Sequence, residues 1–354
     1  MDREAAFTLS RMKSALLAAF CVGITLGSGW LASAAPVPKG EKDGVPPLSG
    51  RMIDLGGYRL HIECAGKGKP PVVLSAGGGA FSTDWALVQP KVAAYTRVCS
   101  YDRSGAAWSD LGPKPRTMDQ EVFDLHRLLA AAGEHGPYVV VGQSLGGMIA
   151  RIFAGRYPQE VVGVVLVDAY SEDAQLSVNG EIKRMRLLAK DRPVPSPRTS
   201  VSSSDELSAA ELAKIADFLK QVPPPKIEAP YDKLPEFAQQ VRLWAFRQPK
   251  YYAEDDDYMP EISARMYAEC ETKKNPLGNL PLIVLTRDKY EYPGPDAAVL
   301  VREHKAQQAR MAKLSTRGEQ VTVPNSGHEI QLYAPEAVVN AIREVIAAGG
   351  SSMK

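Results

Sequence analysis

Cysteine is scarce in this chain: four among 354 residues, with no C-x-x-C pair. A disulfide scaffold needs far more at this size, and a structural zinc site needs paired thiolates at short spacing, so neither organises the fold. Neither sign of charge predominates. Lysine plus arginine number 42 and aspartate plus glutamate 41, a formal net charge of +1. That balance gives no basic excess for a nucleic-acid partner and no charged coat for a membrane surface. Internal repeats and low-complexity tracts are also missing, which sets aside collagen-like, fibrous and wholly disordered classes. What is there is ordinary globular composition, 45% hydrophobic and 23% charged, in a chain long enough to bury a sizeable core.

The first 34 residues read as an address. Arg11 and Lys13 precede an apolar stretch from Ala15 to Leu31, interrupted by Gly23, Gly27 and Gly29. Ala32-Ser33-Ala34 follows as a small-x-small cleavage pattern, so 1–34 is expected to be a secretory signal. The rival is an uncleaved membrane anchor, weakened by the glycines and by a length near the lower limit for spanning. Cys21 follows the bulky Phe20, which argues against lipid attachment. Cleavage removes three basic and two acidic side chains and leaves 39 of each sign. Residues 35–49, rich in proline, glycine and charge, are expected to form a flexible leader. A secreted or periplasmic protein with no stable membrane insertion after cleavage is the expectation. In such an oxidising compartment, Cys64, Cys99 and Cys270 suggest either one bonded pair and one free thiol or three buried reduced thiols.

Strands and helices alternate along the rest. Arg51–Leu55 and Tyr58–Cys64, split by Gly56-Gly57, predict a hairpin. Strands follow at Val72–Ser75, Arg97–Tyr101, Tyr138–Val141, Val161–Val167, Leu282–Leu285 and Gln320–Val323. Helices are expected at Thr83–Ala94, Met118–Ala132, Leu145–Tyr157, Ala297–Leu314 and Pro335–Ala347. The nearly all-apolar Val161–Val167 suits a strand covered on both faces, and the repeated units give a parallel α/β sheet. From about 171 to 280 the rhythm breaks. Helices are expected there, one opened by the capping box Ser208-Ala209-Ala210-Glu211, others near Leu234–Arg247 and Pro260–Thr272, with no clear strand. An all-helical insertion between two core strands reads as a lid on a core of 50–170 and 281–350.

The most informative segment is Gly142-Gln143-Ser144-Leu145-Gly146, a G-x-S-x-G between an apolar strand and an amphipathic helix. Such a turn exposes the serine hydroxyl beside a helix N-terminus. Serine is a poor nucleophile at its free pKa and needs a base. Of the five histidines, His61 lies on an early strand, His126 and His304 lie within helices, and His135 precedes a strand. His328 follows the last core strand, at the sheet edge that also carries the Ser144 turn, which makes it the expected base. A carboxylate should orient the imidazole. Asp288, after the Leu282–Leu285 strand, is favoured over Asp168, which ends the Val161–Val167 strand. Oxyanion donors are expected from the Leu145 amide and from the run Gly77-Gly78-Gly79, with Gly78 first and Gly79 next.

Together these residues resemble the α/β-hydrolase superfamily, in its lid-bearing serine hydrolases. The resemblance rests on Ala76-Gly77-Gly78-Gly79, on Tyr101-Asp102-Arg103-Ser104-Gly105 with Ser109, on Gly142–Gly146, and on Asp288 and His328, and it spans residues 51–347. It implies an eight-stranded, mostly parallel sheet flanked by helices, with the lid between the sixth and seventh strands. Two departures stand out: Ala76 where such enzymes often carry histidine, and Ala107 where a second glycine is usual. A serine nucleophile sets aside the epoxide hydrolases and haloalkane dehalogenases of this superfamily, which use aspartate. The superfamily's strand order further implies a Cys64–Cys99 disulfide.

The expected activity is hydrolysis of a small-molecule carboxylic ester through an acyl-enzyme, with no metal or organic cofactor required. Amide or aminopeptidase-like hydrolysis, and lactone opening, would use the same groups. The acidic run Glu254–Asp257 would suit a cationic substrate, and Trp244, Phe246, Tyr251 and Tyr252 either line a pocket or form the insertion's own core. A non-catalytic binding protein on this fold is the alternative of another class, disfavoured because it has no need of Ser144, Asp288 and His328 together.

Overall fold

The computed structural model describes residues 44–178, 181–253, 258–292 and 295–350. The signal-like segment, the first part of the leader and the acidic run at 254–257 lie outside them.

Eight strands form one sheet in the order β1-β2-β4-β3-β5-β6-β9-β10: β1 (Arg51–Asp54), β2 (Arg59–Ala65), β3 (Val72–Ser75), β4 (Val98–Tyr101), β5 (Tyr138–Gln143), β6 (Val161–Val167), β9 (Leu282–Arg287) and β10 (Gly318–Val323). Only β2 runs against its neighbours, pairing antiparallel with β1 and β4; the remaining pairs are parallel. The β1–β2 turn has a local cause. Gly56 and Gly57 both take positive φ, and their N–H groups both donate to Asp54 Oδ1, at 2.9 and 3.1 Å. In the antiparallel register Cys64 stands opposite Cys99, and the two are joined by a disulfide.

Side-chain alternation on the central strands builds two cores. Val139 and Val141 of β5 point to one face and Tyr138 and Val140 to the other. The first face is covered by α1 (Gln89–Ala93) and α8 (Pro335–Gly350), the second by α2 (Met118–Ala131), α3 (Leu145–Arg156) and α7 (Ala297–Ala312). A single helix at Thr83–Ala94 does not form. A 3₁₀ turn at Ser82–Trp85 is followed by the short α1, whose second residue is Pro90. Proline lacks the N–H that a continuing helix would use and disfavours helical backbone before it, so the helix restarts there.

Residues 168–281 insert between β6 and β9, the sixth and seventh strands of the main sheet. They are not all helical. A hairpin of β7 (Gln175–Val178) and β8 (Glu181–Arg184) precedes α4 (Ala209–Gln221), α5 (Glu236–Ala245) and α6 (Met259–Thr272). The capping box opens α4 as expected, with Ser208 Oγ accepting from the Glu211 N–H. The insertion is pinned to the core by a buried ion pair, Arg242 to Asp84 at 2.5 Å. Trp244, Phe246 and Tyr251 pack against Phe81, Ala106 and Trp108, and Tyr252 meets Tyr251 edge-on and Phe218 at a tilt. These four rings are therefore packing residues of the insertion. No helix among the described residues is long and apolar enough to cross a membrane.

Candidate active site

Strand β5 leads straight into Ser144, which takes φ 51° and ψ −119° before α3 begins at Leu145. A positive φ is uncommon for a non-glycine residue and is kept only where the surroundings enforce it. Here two hydrogen bonds do so: Ser144 N–H donates to Val167 O at 3.1 Å, and Tyr170 N–H donates to Ser144 O at 2.9 Å. The flanking glycines are demanded by space. A Cβ on Gly146 would lie 2.2 Å from Ser75 O, and one on Gly142 would lie 2.1 Å from Gly146 O. The serine side chain thus stands at the C-terminal edge of the sheet, tied by backbone bonds to the end of β6.

His328 follows β10 at that same edge. Gln143 Nε2 donates to its carbonyl oxygen at 3.4 Å, which sets the histidine beside the Ser144 turn. Its imidazole is held by a different carboxylate from the expected one. His328 Nδ1 lies 2.6 Å from Asp168 Oδ2. Asp288 instead accepts the backbone N–H groups of Asn325 and Ser326, at 2.9 and 3.0 Å, and shapes the loop leading to His328. Asn325 has φ 58°, and a side-chain acceptor from a neighbouring strand end steadies that turn. Asp288 is exposed, and those two N–H groups hold its carboxyl below the ordinary range. The assignment of Asp288 as the histidine's partner is therefore corrected to Asp168.

Asp168 is fully buried, with φ 43° at the end of β6. Its own N–H donates to Leu285 O, and Arg287 N–H returns a bond to Oδ1 at 3.2 Å, so β9 fixes the carboxylate from the next strand. Burial alone would push this carboxyl up. The Arg287 guanidinium, with Nε 3.4 Å from Oδ2, and hydrogen bonds from His304 and His328 outweigh that and hold it ionised, well below the ordinary carboxylate range.

His304 was excluded as a base by its place inside a helix, yet its Nε2 lies 2.9 Å from Asp168 Oδ1. One carboxylate thus carries two imidazoles, one on each oxygen. The sequence held a signal for this. Gln307 and Gln308, three and four residues on, share the helical face of His304 and donate to Asp173 O and Ala169 O. A polar stripe of one histidine and two glutamines on a buried helical face marks a docking edge rich in backbone carbonyls.

The glycine run after β3 closes the site. A Cβ on Gly77 would stand 3.2 Å from Ser144 Cβ, so this loop passes directly beside the serine. Leu145 is the first residue of α3, where an N–H has no carbonyl of the preceding turn to bond. Both candidate sources of oxyanion amides, the Leu145 N–H and the Gly77-Gly78-Gly79 loop, therefore border Ser144.

A family model described as "Alpha/beta hydrolase family" matches residues 72–341. The chain belongs to the alpha/beta hydrolase family. Among curated relatives of this hydrolase, an "AB hydrolase superfamily protein" of Gibberella zeae is 24% identical over 302 residues, covering 78% of this chain and 86% of its own length. The "Probable transporter efuK" of Hormonema carpetanum is 33% identical over 129 residues, 34% of this chain. The hydrolase spans 18% of that relative and 16% of an uncharacterised protein of Schizosaccharomyces pombe, so it matches a minor part of either. Solved structures share the fold. An enol-lactonase from Burkholderia xenovorans superposes with a TM-score of 0.54 at 17% identity, covering 84% of this chain and 100% of the other. A thermophilic esterase from Thermogutta terrifontis gives 0.55 at 22%, covering 82% and 94%.

Proposed function

We propose that this alpha/beta hydrolase is an exported serine hydrolase that cleaves carboxylic esters through an acyl-enzyme. The observation that carries the reading is the His328–Asp168 pair at 2.6 Å on the sheet edge that also holds Ser144 in a constrained turn. In the proposed cycle Ser144 Oγ attacks the ester carbonyl carbon as His328 Nε2 takes its proton. Asp168 holds Nδ1–H and stabilises the imidazolium that forms. The amides of Leu145 and Gly78 receive the oxyanion. His328 then gives the proton to the leaving alkoxide, and the ester C–O bond breaks. Water, deprotonated by the same imidazole, hydrolyses the acyl-serine.

The insertion at 168–281 would act as the lid of this site, since Tyr251 and its aromatic neighbours sit over the loop at Phe81. Export rests on residues 1–34 and on the Cys64–Cys99 bond, which suits an oxidising compartment.

The test is covalent labelling with a fluorophosphonate, followed by peptide mapping. Label on Ser144, and its loss in Ser144→Ala, is the expected result. Ser144→Ala should also lower ester turnover by about 10⁴-fold or more, the scale of a lost triad nucleophile. A protein that resists the reagent and turns over no ester would be a binder on a hydrolase fold, and turnover unchanged by the substitution would move the chemistry away from Ser144. Short- and long-chain esters, lactones and aminoacyl amides assayed side by side would identify the acyl preference, and an amide turned over faster than every ester would replace the ester reading.

A further inference from the structure

The loop Ala76-Gly77-Gly78-Gly79 borders Ser144, and a run of three glycines has more backbone freedom to lose than any other sequence. Something must aim it. The resemblance noted above expects a histidine where Ala76 stands, and a methyl group cannot donate a hydrogen bond. The guanidinium of Arg103, in the loop after β4, occupies that role from the other direction. Its Nη1 donates to Ala76 O at 2.5 Å and its Nη2 to Gly77 O at 2.7 Å. The side chain is 13% exposed, and Glu121 lies 4.0 Å away as its counter-charge.

We propose that Arg103 is the positioning residue of the oxyanion hole, holding two carbonyl oxygens so that the Gly77 and Gly78 N–H groups face the reacting carbonyl. The reason is the planarity of the peptide. Cis bonds among the described residues all precede proline, so the Ala76–Gly77 and Gly77–Gly78 peptides are trans. In a trans peptide the C=O of one residue and the N–H of the next point in opposite directions within one plane. Pinning Ala76 O therefore aims Gly77 N–H, and pinning Gly77 O aims Gly78 N–H, both away from Arg103. Neither amide donates to a backbone carbonyl among the described residues. The loop passes beside the serine turn, where a Cβ added at Gly77 would stand 2.1 Å from Gln143 Oε1 and 3.2 Å from Ser144 Cβ.

The neighbouring residue secures the other end of the same loop. Asp102 Oδ1 accepts the Ser82 N–H at 2.7 Å, and Gly77 O also accepts the Ala80 N–H at 3.2 Å. Residues 102 and 103 thus grip the loop at both ends from one strand terminus. A planar fork reaches two carbonyl oxygens at once, which a single ammonium on a flexible stem does not reproduce.

This inference rests on the serine hydrolase reading, and the experiment separates the two. Full-length wild-type protein, Arg103→Met and Arg103→Lys are compared in ester turnover, in affinity for an arylboronic acid that forms a tetrahedral adduct on the serine, and in preference for an ester over its thionoester. Arg103→Met should lose about 10²-fold in kcat, the amount expected of a misaligned oxyanion donor, with KM within about threefold. Boronate affinity should fall in parallel, and the preference for oxygen over sulfur should collapse. Arg103→Lys should restore less than a tenth of the loss, and it supplies the same readouts if Arg103→Met does not fold. Wild-type boronate affinity and wild-type oxygen-to-sulfur preference in a folded variant would overturn the proposal, whatever the turnover. A wild-type protein inert to fluorophosphonate and to esters would instead end the hydrolase reading, and the proposal with it.

Discussion

Asp168 and His304 meet at 2.9 Å, on the carboxylate oxygen that His328 leaves free. The carboxylate at the end of β6 is therefore a hub between two elements far apart in the chain, helix α7 and the loop after β10. Arg287 of β9 completes it through its backbone N–H and its guanidinium. Every oxygen of Asp168 is engaged, so its side chain has one orientation, and Oδ2 is fixed toward the candidate base.

Two aspartates compete for one role, and they can be told apart by removing each charge. Asp168→Asn should reduce kcat by about 10⁴-fold, because an amide no longer stabilises the imidazolium or enforces its tautomer. Asp288→Asn should cost less than about tenfold, since Asp288 meets only the backbone of Asn325 and Ser326. Steady-state ester kinetics on the two variants decide it. A large loss with Asp288→Asn and a small one with Asp168→Asn would reverse the assignment.

His304 acts through Asp168, so its removal should move kcat and spare KM. A hydrogen bond to a charged group contributes about 1.5–3 kcal/mol, which corresponds to roughly 10- to 100-fold in rate if all of it is felt at the transition state. His304→Phe should show that loss. His304→Gln, whose amide can still donate to Oδ1, should recover most of it. Equal activity of both variants and wild type would mean that Arg287 alone suffices.

These two tests bear on what was legible in the sequence and what was not. The Ser144 turn could be read because its requirements are local: two glycines, a strand before and a helix after. His328 could be read by elimination among five histidines. The choice between Asp168 and Asp288 could not. Both follow a core strand at the same sheet edge, and the difference lies in which side chain turns inward, which the strand order alone does not specify. Asp168 turns inward because β6 is flanked by β5 and β9, with Arg287 N–H waiting on the latter. The β7–β8 hairpin was missed for another reason. Gln175–Val178 and Glu181–Arg184 are separated by Asn179-Gly180, a strong two-residue hairpin signal, but the strands are short and mostly polar, with Leu176, Val178 and Ile182 their only apolar residues. Arg103 belongs to a recognisable motif, yet its contacts with Ala76 and Gly77 depend on β3 and β4 lying side by side.

Acid sensitivity should trace to a buried pair that joins α3 to the segment following β6. Arg151 and Glu172 lie 2.5 Å apart with little exposure of either side chain. Burial would raise the Glu172 carboxyl, but Arg151 outweighs it and brings it down to about 2. A carboxyl lowered on folding adds stability that is fully present above its unfolded pKa, near 4.5, and is lost as the pH falls toward 2. Glu172→Gln should therefore cost about 3 kcal/mol at neutral pH, where it leaves Arg151 buried and unpaired. The gap to wild type should narrow between pH 4.5 and 2, because only the wild type loses this contribution there. Asp168 is also held ionised, but it is common to both proteins and cancels in the difference. Denaturant unfolding of both at several pH values measures the gap. A gap that stays constant through that window would assign the loss to packing and not to charge.

The Cys64–Cys99 bond joins strands β2 and β4 across a separation of 35 residues. Closing a loop of that length removes about 3–4 kcal/mol of unfolded-chain entropy in the chain-entropy treatment, so the Cys64→Ser/Cys99→Ser double variant should lose stability on that order. The antiparallel pairing of β2 and β4 does not itself require the covalent link, and the double variant should still fold and keep wild-type kcat, since neither sulfur approaches Ser144, His328 or Asp168 through any shared element. Thermal melts with and without reductant measure the effect: the wild type should fall to the melting temperature of the double variant when reduced, and the double variant should not respond. Alkylation of the unfolded, unreduced wild type should reach Cys270 and spare both bonded residues. Labelling of Cys64 and Cys99 under those conditions, with melts indifferent to reductant, would show that the pair is not joined in the purified protein.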